Sequence, residues 1–275
     1  VGGQFWDGRA KNLAEQAGGP PINPVEMGMP DKLSVAKRIF NTPMYLTLFT
    51  QHYGKETWES VDRVYSAMED ALAVFQKEKR LLHPFDAKYD KSLQGKYAMT
   101  AQEERGKQLF FDNTKTNCSN CHQAQHAEHK EETFTNYRYY NMGVPKNQRL
   151  IAHNQLSQDF IDNGLLDNPM VKGDQRQKGK FKVPTLRNIA VTAPYMHNGV
   201  FKHLRTVLEY FDHFNNPARK LNPETQQPWE APEYSATMNL EELKASPLSD
   251  EQLDDLEAFL KTLTDGRYET LLKQQ

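Results

Sequence analysis

Apolar residues recur at helical spacing in several stretches of this chain, and no convincing pair of strands accompanies them. Leu33, Ala36, Ile39 and Phe40 predict a helix from Pro30 to Phe40, with Asp31 near its start and Asn41-Thr42-Pro43 as its stop. Residues 44–53 predict a second short helix, ended by Gly54. Val61, Val64, Tyr65, Met68, Leu72 and Phe75 share one face of a longer helix. It is expected to open at Thr57 and to close on Lys77-Glu78-Lys79-Arg80, cations suited to a helix C-terminus. Two capping boxes announce further helices. Thr100-Ala101-Gln102-Glu103 opens one that runs to about Phe110. Ser249-Asp250-Glu251-Gln252 opens another, with Leu253, Leu256, Phe259, Leu260 and Leu263 on one side and Gly266 at its end. Leu204 to Phe214 also reads as helix.

The intervening stretches lack periodicity. Residues 4–29 are dense in Gly and Pro and predict loop with one short helix near Ala10–Gln16. Residues 123–180 predict long loops, with a short helix near Gln155–Asp162. Pro184 and Pro194 bracket a segment that fits one helical turn, and the prolines at 217, 223, 228, 232 and 247 predict an ordered excursion with little regular structure. The expected class is all-α with long loops and no internal repeat. Pro84 to Gly95, rich in Asp, Lys and Gly, is read as a linker, which divides the chain into domains 1–90 and 91–275.

A length of 275 residues allows one large domain or two smaller ones. The formal net charge is -2 with both signs interspersed, so no basic run or aromatic–basic stripe points to nucleic acid. No apolar run approaches the roughly 18 residues of a membrane span, and the mean hydropathy of -0.81 agrees.

The chemistry concentrates at Cys118-Ser119-Asn120-Cys121-His122, which reads Cys-x-x-Cys-His, the attachment signature of a c-type haem. The two thiols add to the haem vinyl groups, and His122 can then bind the iron from the proximal side. A structural zinc site would need about four protein ligands. The chain has no second cysteine pair, although His126 and His129 complete a zinc site on paper. A thioredoxin-like redox pair lacks its surrounding βαβ pattern. Both cysteines serve the haem motif, so no disulfide framework exists. Covalent haem c attachment on the outer face of the bacterial inner membrane implies a periplasmic protein. The sequence begins Val1-Gly2-Gly3-Gln4, with no initiator Met and no signal peptide; either processing removed the start or the sequence begins after it.

Taken together, several segments resemble the bacterial di-haem cytochrome c peroxidases and their MauG-type relatives. They are Phe5-Trp6-Asp7-Gly8-Arg9-Ala10, Asn23-Pro24-Val25-Glu26-Met27, Cys118 to His122, Pro184-Thr185-Leu186-Arg187-Asn188, Thr192 to Gly199, and Phe259 to Thr264. The resemblance covers most of the chain and implies two cytochrome-c-like helical domains, each with one haem. The N-terminal haem activates hydrogen peroxide and the C-terminal haem relays electrons. Cys118, Cys121 and His122 match the electron-transfer haem, and Trp6 matches the tryptophan between the two haems. Glu26 matches the distal glutamate of the peroxidatic haem, and Gln16 the glutamine beside it. Heterolytic O–O cleavage needs one group to take a proton from peroxide and return it to the leaving oxygen, and a carboxylate does both. Thr192 and Pro194 match positions whose backbone carbonyls help to hold calcium, a hard cation that prefers oxygen. The implied partners are hydrogen peroxide and either a small electron donor (cytochrome c or cupredoxin) or a protein substrate. Homodimers are common in such a family.

Two departures stand out. The family's N-terminal haem motif precedes the Phe-Trp-Asp-Gly-Arg segment and is absent here, so this chain can tether one haem and a second is expected from a preceding segment. The sixth ligand of the C-terminal haem is Met in the peroxidases and Tyr in MauG. Ungapped counting from Pro194 puts Phe211 there, which cannot bind iron. Tyr210, His213 and, further off, Met196 are the neighbouring alternatives, and the ligand stays open. Two other readings compete: a single-haem c-type electron carrier without peroxidase activity, and a metal-binding scaffold without haem.

Overall fold

Short-range capping sets where most helices of this chain begin. The structure, a computed structural model, describes residues 2–82, 84–124 and 132–274. Two compact units emerge, Gly2–Pro84 and Phe85–Gln275. The first carries α1 (Leu13–Ala17), α2 (Lys32–Phe40), α3 (Pro43–Tyr53), α4 (Val61–Phe75) and α5 (Lys79–Leu82). The second carries α6 (Lys88–Leu93), α7 (Ala101–Phe111), α8 (Cys118–Cys121), α9 (Gln148–His153), α10 (Leu204–His213) and α11 (Asp250–Lys261). It also holds two small antiparallel ribbons: β1 (Tyr139–Tyr140) with β2 (Phe181–Lys182), and β3 (Leu221–Asn222) with β4 (Gln227–Pro228). The molecule is thus mainly helical. The ribbons are additions to the all-α expectation, each only two residues long per strand and too short to show a period.

In the Gly2–Pro84 unit, Asp31 caps α2 by accepting the Ser34 N–H at 2.7 Å. Pro43 occupies the first turn of α3, where its missing N–H costs nothing, so it starts the next helix as well as stopping the last. The short N-terminal helix begins at Leu13 with Asn12 as its cap, later than the expected Ala10, which instead pairs with Gln4. The opening of α4 also differs from the reading: Ser60 is its cap, accepting from the Arg63 N–H. Thr57 lies in the preceding 3₁₀ turn and donates to the Tyr53 carbonyl at 2.9 Å. The helix stops at Phe75, short of the expected cations. Val35, Ala36, Ile39, Phe49, Val64, Tyr65 and Ala67 form the core, and the buried Tyr65 hydroxyl donates to the Gly18 carbonyl at 2.6 Å. The far end of the α4 stripe leaves that core: Leu72 and Phe75 are exposed.

The Phe85–Gln275 unit is built on α7 against α11. Thr100 and Ser249 each make the reciprocal capping box their sequences announce. The helices approach so closely at Gly106 that a Cβ there would stand 1.8 Å from the Asp255 carbonyl oxygen. Beside it the Arg105 guanidinium donates twice to the buried Asp255 carboxylate, both at 2.8 Å. Tyr89, Phe110, Phe134 and Phe259 interlock their rings in the core at centroid separations of 5.2–6.4 Å. Three further expectations are corrected. The supposed linker holds α6, with Tyr89 and Asp90 buried, so the division falls between Pro84 and Phe85 and not after residue 90. The reason is long-range: Arg187 Nη1 and Nη2 donate to Asp90 at 2.7 and 2.9 Å, within a pair that is nearly buried on both sides. The helix expected near Gln155–Asp162 is instead α9, capped at Asn147. Finally, α11 stops at Lys261, and Gly266 begins a 3₁₀ segment that follows it. Among the described residues, no helix is long and apolar enough to cross a membrane.

Candidate functional site

The thiols of Cys118 and Cys121 stand at the two ends of α8, a single helical turn, and the His122 N–H closes that turn on the Cys118 carbonyl at 2.9 Å. One turn puts both thiols on one edge, which is what two vinyl groups on neighbouring pyrroles require. Burial keeps both thiols neutral, pushing Cys118 up and Cys121 up to about 11, the latter with help from the charge of Glu242.

His122 is set by its second nitrogen. Nδ1 lies 3.1 Å from the Phe134 carbonyl oxygen. A carbonyl only accepts, so Nδ1 carries the proton and Nε2 keeps its lone pair, the arrangement an iron-binding imidazole needs. The ring retains some accessible surface, but protein crowds it elsewhere. That crowding pushes the imidazole down to about 4 and keeps it neutral. Asn136, 5% exposed, clamps the same turn. Its backbone N–H donates to the Cys121 carbonyl at 2.9 Å, and its side-chain amide donates to the Asn120 carbonyl at 3.3 Å and the Tyr140 hydroxyl at 3.2 Å. Phe134, Asn136 and Tyr140 were missed in the sequence because they follow the motif in an aperiodic stretch and reach it through a backbone carbonyl, an amide and a hydroxyl that no spacing announces. The aromatic-rich run Phe134 to Tyr140 was the one available signal.

These donors fit haem c. A polar atom left over nearby agrees: His197 Nε2 is buried with no hydrogen-bond partner, its ring stacked 3.5 Å from Phe181, the strand partner of Tyr140. Burial pushes His197 down to about 3. Among the described residues, no group of three His, Cys, Asp or Glu side chains could hold a metal ion. His126 and His129, the paper zinc ligands, lie outside the described residues.

The sixth-ligand neighbours are distributed as follows. Phe211 and Met196 are half-buried and border the core that Cys118 also borders. The Tyr210 hydroxyl is fully buried and donates to the Met142 carbonyl at 3.0 Å, and burial pushes its pKa up. His213 contacts the Tyr210 carbonyl through Nδ1 and stacks on Trp229. Thr192 and Pro194 are exposed; Thr192 precedes a cis Ala193–Pro194 peptide of which Pro194 is part.

The remaining sequence-derived residues belong to the Gly2–Pro84 unit. Trp6, 40% exposed, sits on the turn after Phe5, and Arg9 covers the Phe5 ring at 3.8 Å while pairing with Asp7. Gln16 is half-buried at the end of α1, its carbonyl accepting the Gly19 N–H at 3.1 Å. Glu26 is exposed in a loop that folds back on Pro20 and Pro21, and its carboxylate accepts from the Asn23 amide at 2.7 Å. Val25 and Met27, on either side of it, are 76% and 67% exposed.

Along 99% of its length this chain is 45% identical to the methylamine utilization protein MauG of Paracoccus denitrificans, 70% of which it spans. It belongs to the di-haem cytochrome c peroxidase and MauG family. The family model for di-haem cytochrome c peroxidase matches residues 1–98. The cytochrome c peroxidase Ccp of Escherichia coli is 35% identical over 71% of this chain, which spans 37% of that longer protein. Among solved structures, the diheme peroxidase BthA from Burkholderia thailandensis superposes with a TM-score of 0.82 at 29% identity, over 97% of this chain and 67% of that one. Members of this family are peroxidase-type, haem-dependent oxidoreductases. The chain thus spans 37% to 70% of these relatives' own length.

Proposed function

We propose that this chain is the greater part of a periplasmic di-haem oxidoreductase that reduces hydrogen peroxide and draws the electrons from another protein. That protein is a small electron donor or, as for a MauG-type enzyme, a substrate whose side chain is oxidised. The observation that carries the reading is the His122 ring, held at Nδ1 by Phe134 directly after two thiols on one helical turn. The 45% identity to MauG gives that constellation its family.

Cys118 and Cys121 hold the porphyrin as thioethers, and His122 offers Nε2 to the iron. Bound haem c supplies the redox chemistry: it exchanges single electrons and provides the iron at which peroxide is reduced. Glu26 takes a proton from hydrogen peroxide and returns it to the departing oxygen, which leaves as water. Gln16 orients the peroxide by hydrogen bonding, and the Trp6 indole serves as a one-electron relay. The carbonyls of Thr192 and Pro194 contribute to a calcium site. The sequence has two cysteines, so this chain tethers one haem, and a segment outside this sequence tethers the one that Glu26 serves.

The two cysteines also favour a second reading, a single-haem electron carrier. Peroxide consumption by the complete natural protein with a reduced donor separates the two. Glu26→Gln should lower turnover by roughly 10²–10⁴-fold with haem content unchanged. Electron uptake with no Glu26-dependent peroxide turnover would establish the carrier instead.

A further inference from the structure

The carbonyl that orients His122 belongs to a residue in a strained conformation. Phe134, whose oxygen lies 3.1 Å from His122 Nδ1, is fully buried and has φ +53°. A bulky L residue in the left-handed region persists only where its neighbours over-determine it. Here those neighbours are specific. On one side of Phe134, the Thr185 hydroxyl donates to the Thr133 carbonyl at 2.6 Å and Arg187 Nε donates to the Glu132 carbonyl at 2.8 Å. On the other side, the Thr135 hydroxyl donates to the Val183 carbonyl at 2.7 Å. The Thr135 and Asn136 N–H groups donate to the Gln123 and Cys121 carbonyls at 3.1 and 2.9 Å. Residues 132–136 are therefore a strap, tied to segment 183–187 along its length and to the attachment turn at one end. The Pro184 carbonyl of that segment also contacts the imidazole.

Arg187 anchors these ties. Its two terminal nitrogens donate to Asp90 at 2.7 and 2.9 Å, with the two side chains only 9% and 10% exposed. Its guanidinium also lies 4.6 Å from the Phe85 ring centroid and 5.5 Å from that of Phe134. Carboxylate and rings together fix the cation where its Nε meets the Glu132 carbonyl. Thr185 is exposed, and its oxygen accepts the Arg187 N–H at 3.1 Å, which joins the two ties.

We propose that Arg187 and Thr185 are positioning residues for the haem-binding histidine: they hold the strained Phe134 peptide so that its carbonyl accepts from His122 Nδ1, and through it they set how strongly the imidazole donates to iron. The proposal rests on the haem reading above. A hydrogen bond from Nδ1–H makes the imidazole a stronger donor, which favours the ferric form of a bound haem. Releasing the strap lets the Phe134 peptide relax, loosens that bond and favours the ferrous form.

The test is the midpoint potential of this haem in the complete natural protein, read as the wave that Cys118→Ser/Cys121→Ser removes. Arg187→Lys keeps a cation beside Asp90 but loses the Nε bond to the Glu132 carbonyl. Thr185→Val removes the hydroxyl tie at an exposed site. Each should shift the ferrous-to-ferric ratio toward ferrous by up to roughly tenfold, a rise of as much as about 59 mV for one electron. Arg105→Met is the control. It strands the buried Asp255 at the contact of α7 and α11, so it should lower the unfolding midpoint and leave the potential where it was. That contrast separates positioning from general stability. Thr185→Val carries the test by itself if Arg187→Lys does not fold. An unmoved or lowered potential in the folded variants, or an equal rise in Arg105→Met, overturns the proposal. Peptide mass is read first: covalent haem missing from Cys118 and Cys121 refutes the haem reading and the proposal with it, whereas an unmoved potential with that haem in place refutes the proposal alone.

Discussion

The two compact units differ in how completely each closes on itself. Around Cys118–His122 the Phe85–Gln275 unit is finished. Four interlocked aromatic rings fill its core, Arg187 and Asp90 pair inside it, and main-chain contacts fix the attachment turn. The Gly2–Pro84 unit has a smaller core and leaves Val25, Met27, Phe40, Met44, Val74 and Phe75 more than half exposed. Large exposed apolar areas usually mark a surface that something covers. So one unit of this chain holds the Cys118–His122 turn in fixed main-chain contacts, and the other carries the sequence-derived candidates Trp6, Gln16 and Glu26 beside exposed apolar side chains. A di-haem enzyme reading accommodates both.

The largest expected effect breaks the finished cradle chemically. Cys121→Ser removes one of the two thioether anchors, and Cys118→Ser/Cys121→Ser removes both. The double variant should lose the haem tethered at this turn, seen by mass in the complete natural protein as a fall from two covalent haems to one. Loss of the same haem after changes confined to the Gly2–Pro84 unit would erase the distinction between the units.

Packing gives the next contrast. Phe110 is 1% exposed and touches Phe111, Phe134 and Phe259. Phe110→Ala should cost about 3–5 kcal/mol, because close-packed rings cannot relax into the cavity. Phe49, 9% exposed, belongs to the smaller core and has the exposed Phe40 and Tyr45 nearby, and Phe49→Ala should cost about 1 kcal/mol less. Denaturant unfolding of the two variants side by side measures the difference. Equal losses would mean that the Gly2–Pro84 core is as tightly filled as the other.

Arg187→Met comes next, at about 3 kcal/mol, since it strands the buried Asp90 carboxylate and breaks the bond from Arg187 Nε to the Glu132 carbonyl. Replacing both partners with apolar residues of similar volume should recover most of that loss. Failure to recover would show that Asp90 matters mainly through its second role, accepting the Ala87 N–H at 3.0 Å to start α6.

What could be read from the sequence follows the range of the contacts involved. Asp31, Thr100 and Ser249 were legible as caps because each acts within three residues of itself. The Cys-x-x-Cys-His turn was legible for the same reason. Asp90 was hidden in an apparent linker because its partner Arg187 is 97 positions away. Asn136 was hidden because its grip on Cys121 uses the backbone, which any residue type carries.

Helix caps give the smallest and most even-handed comparison. Ser60 and Ser249 play the same part in the two units, each accepting the N–H three residues on, at 3.3 and 3.2 Å. Ser249 also gains the return contact, its N–H donating to Gln252 at 2.9 Å, whereas α4 has Arg63 at that position and no such return. Ser60→Ala and Ser249→Ala should each cost about 1 kcal/mol, with the second slightly more expensive because Gln252 loses its reciprocal partner. Hydrogen exchange of the first-turn amides in α4 and α11 resolves the two, since each loss should appear in its own helix before it alters global unfolding. If Ser60→Ala loosened α11, or Ser249→Ala loosened α4, the two units would be folding as one cooperative body and the contrast between a finished and an open unit would fail.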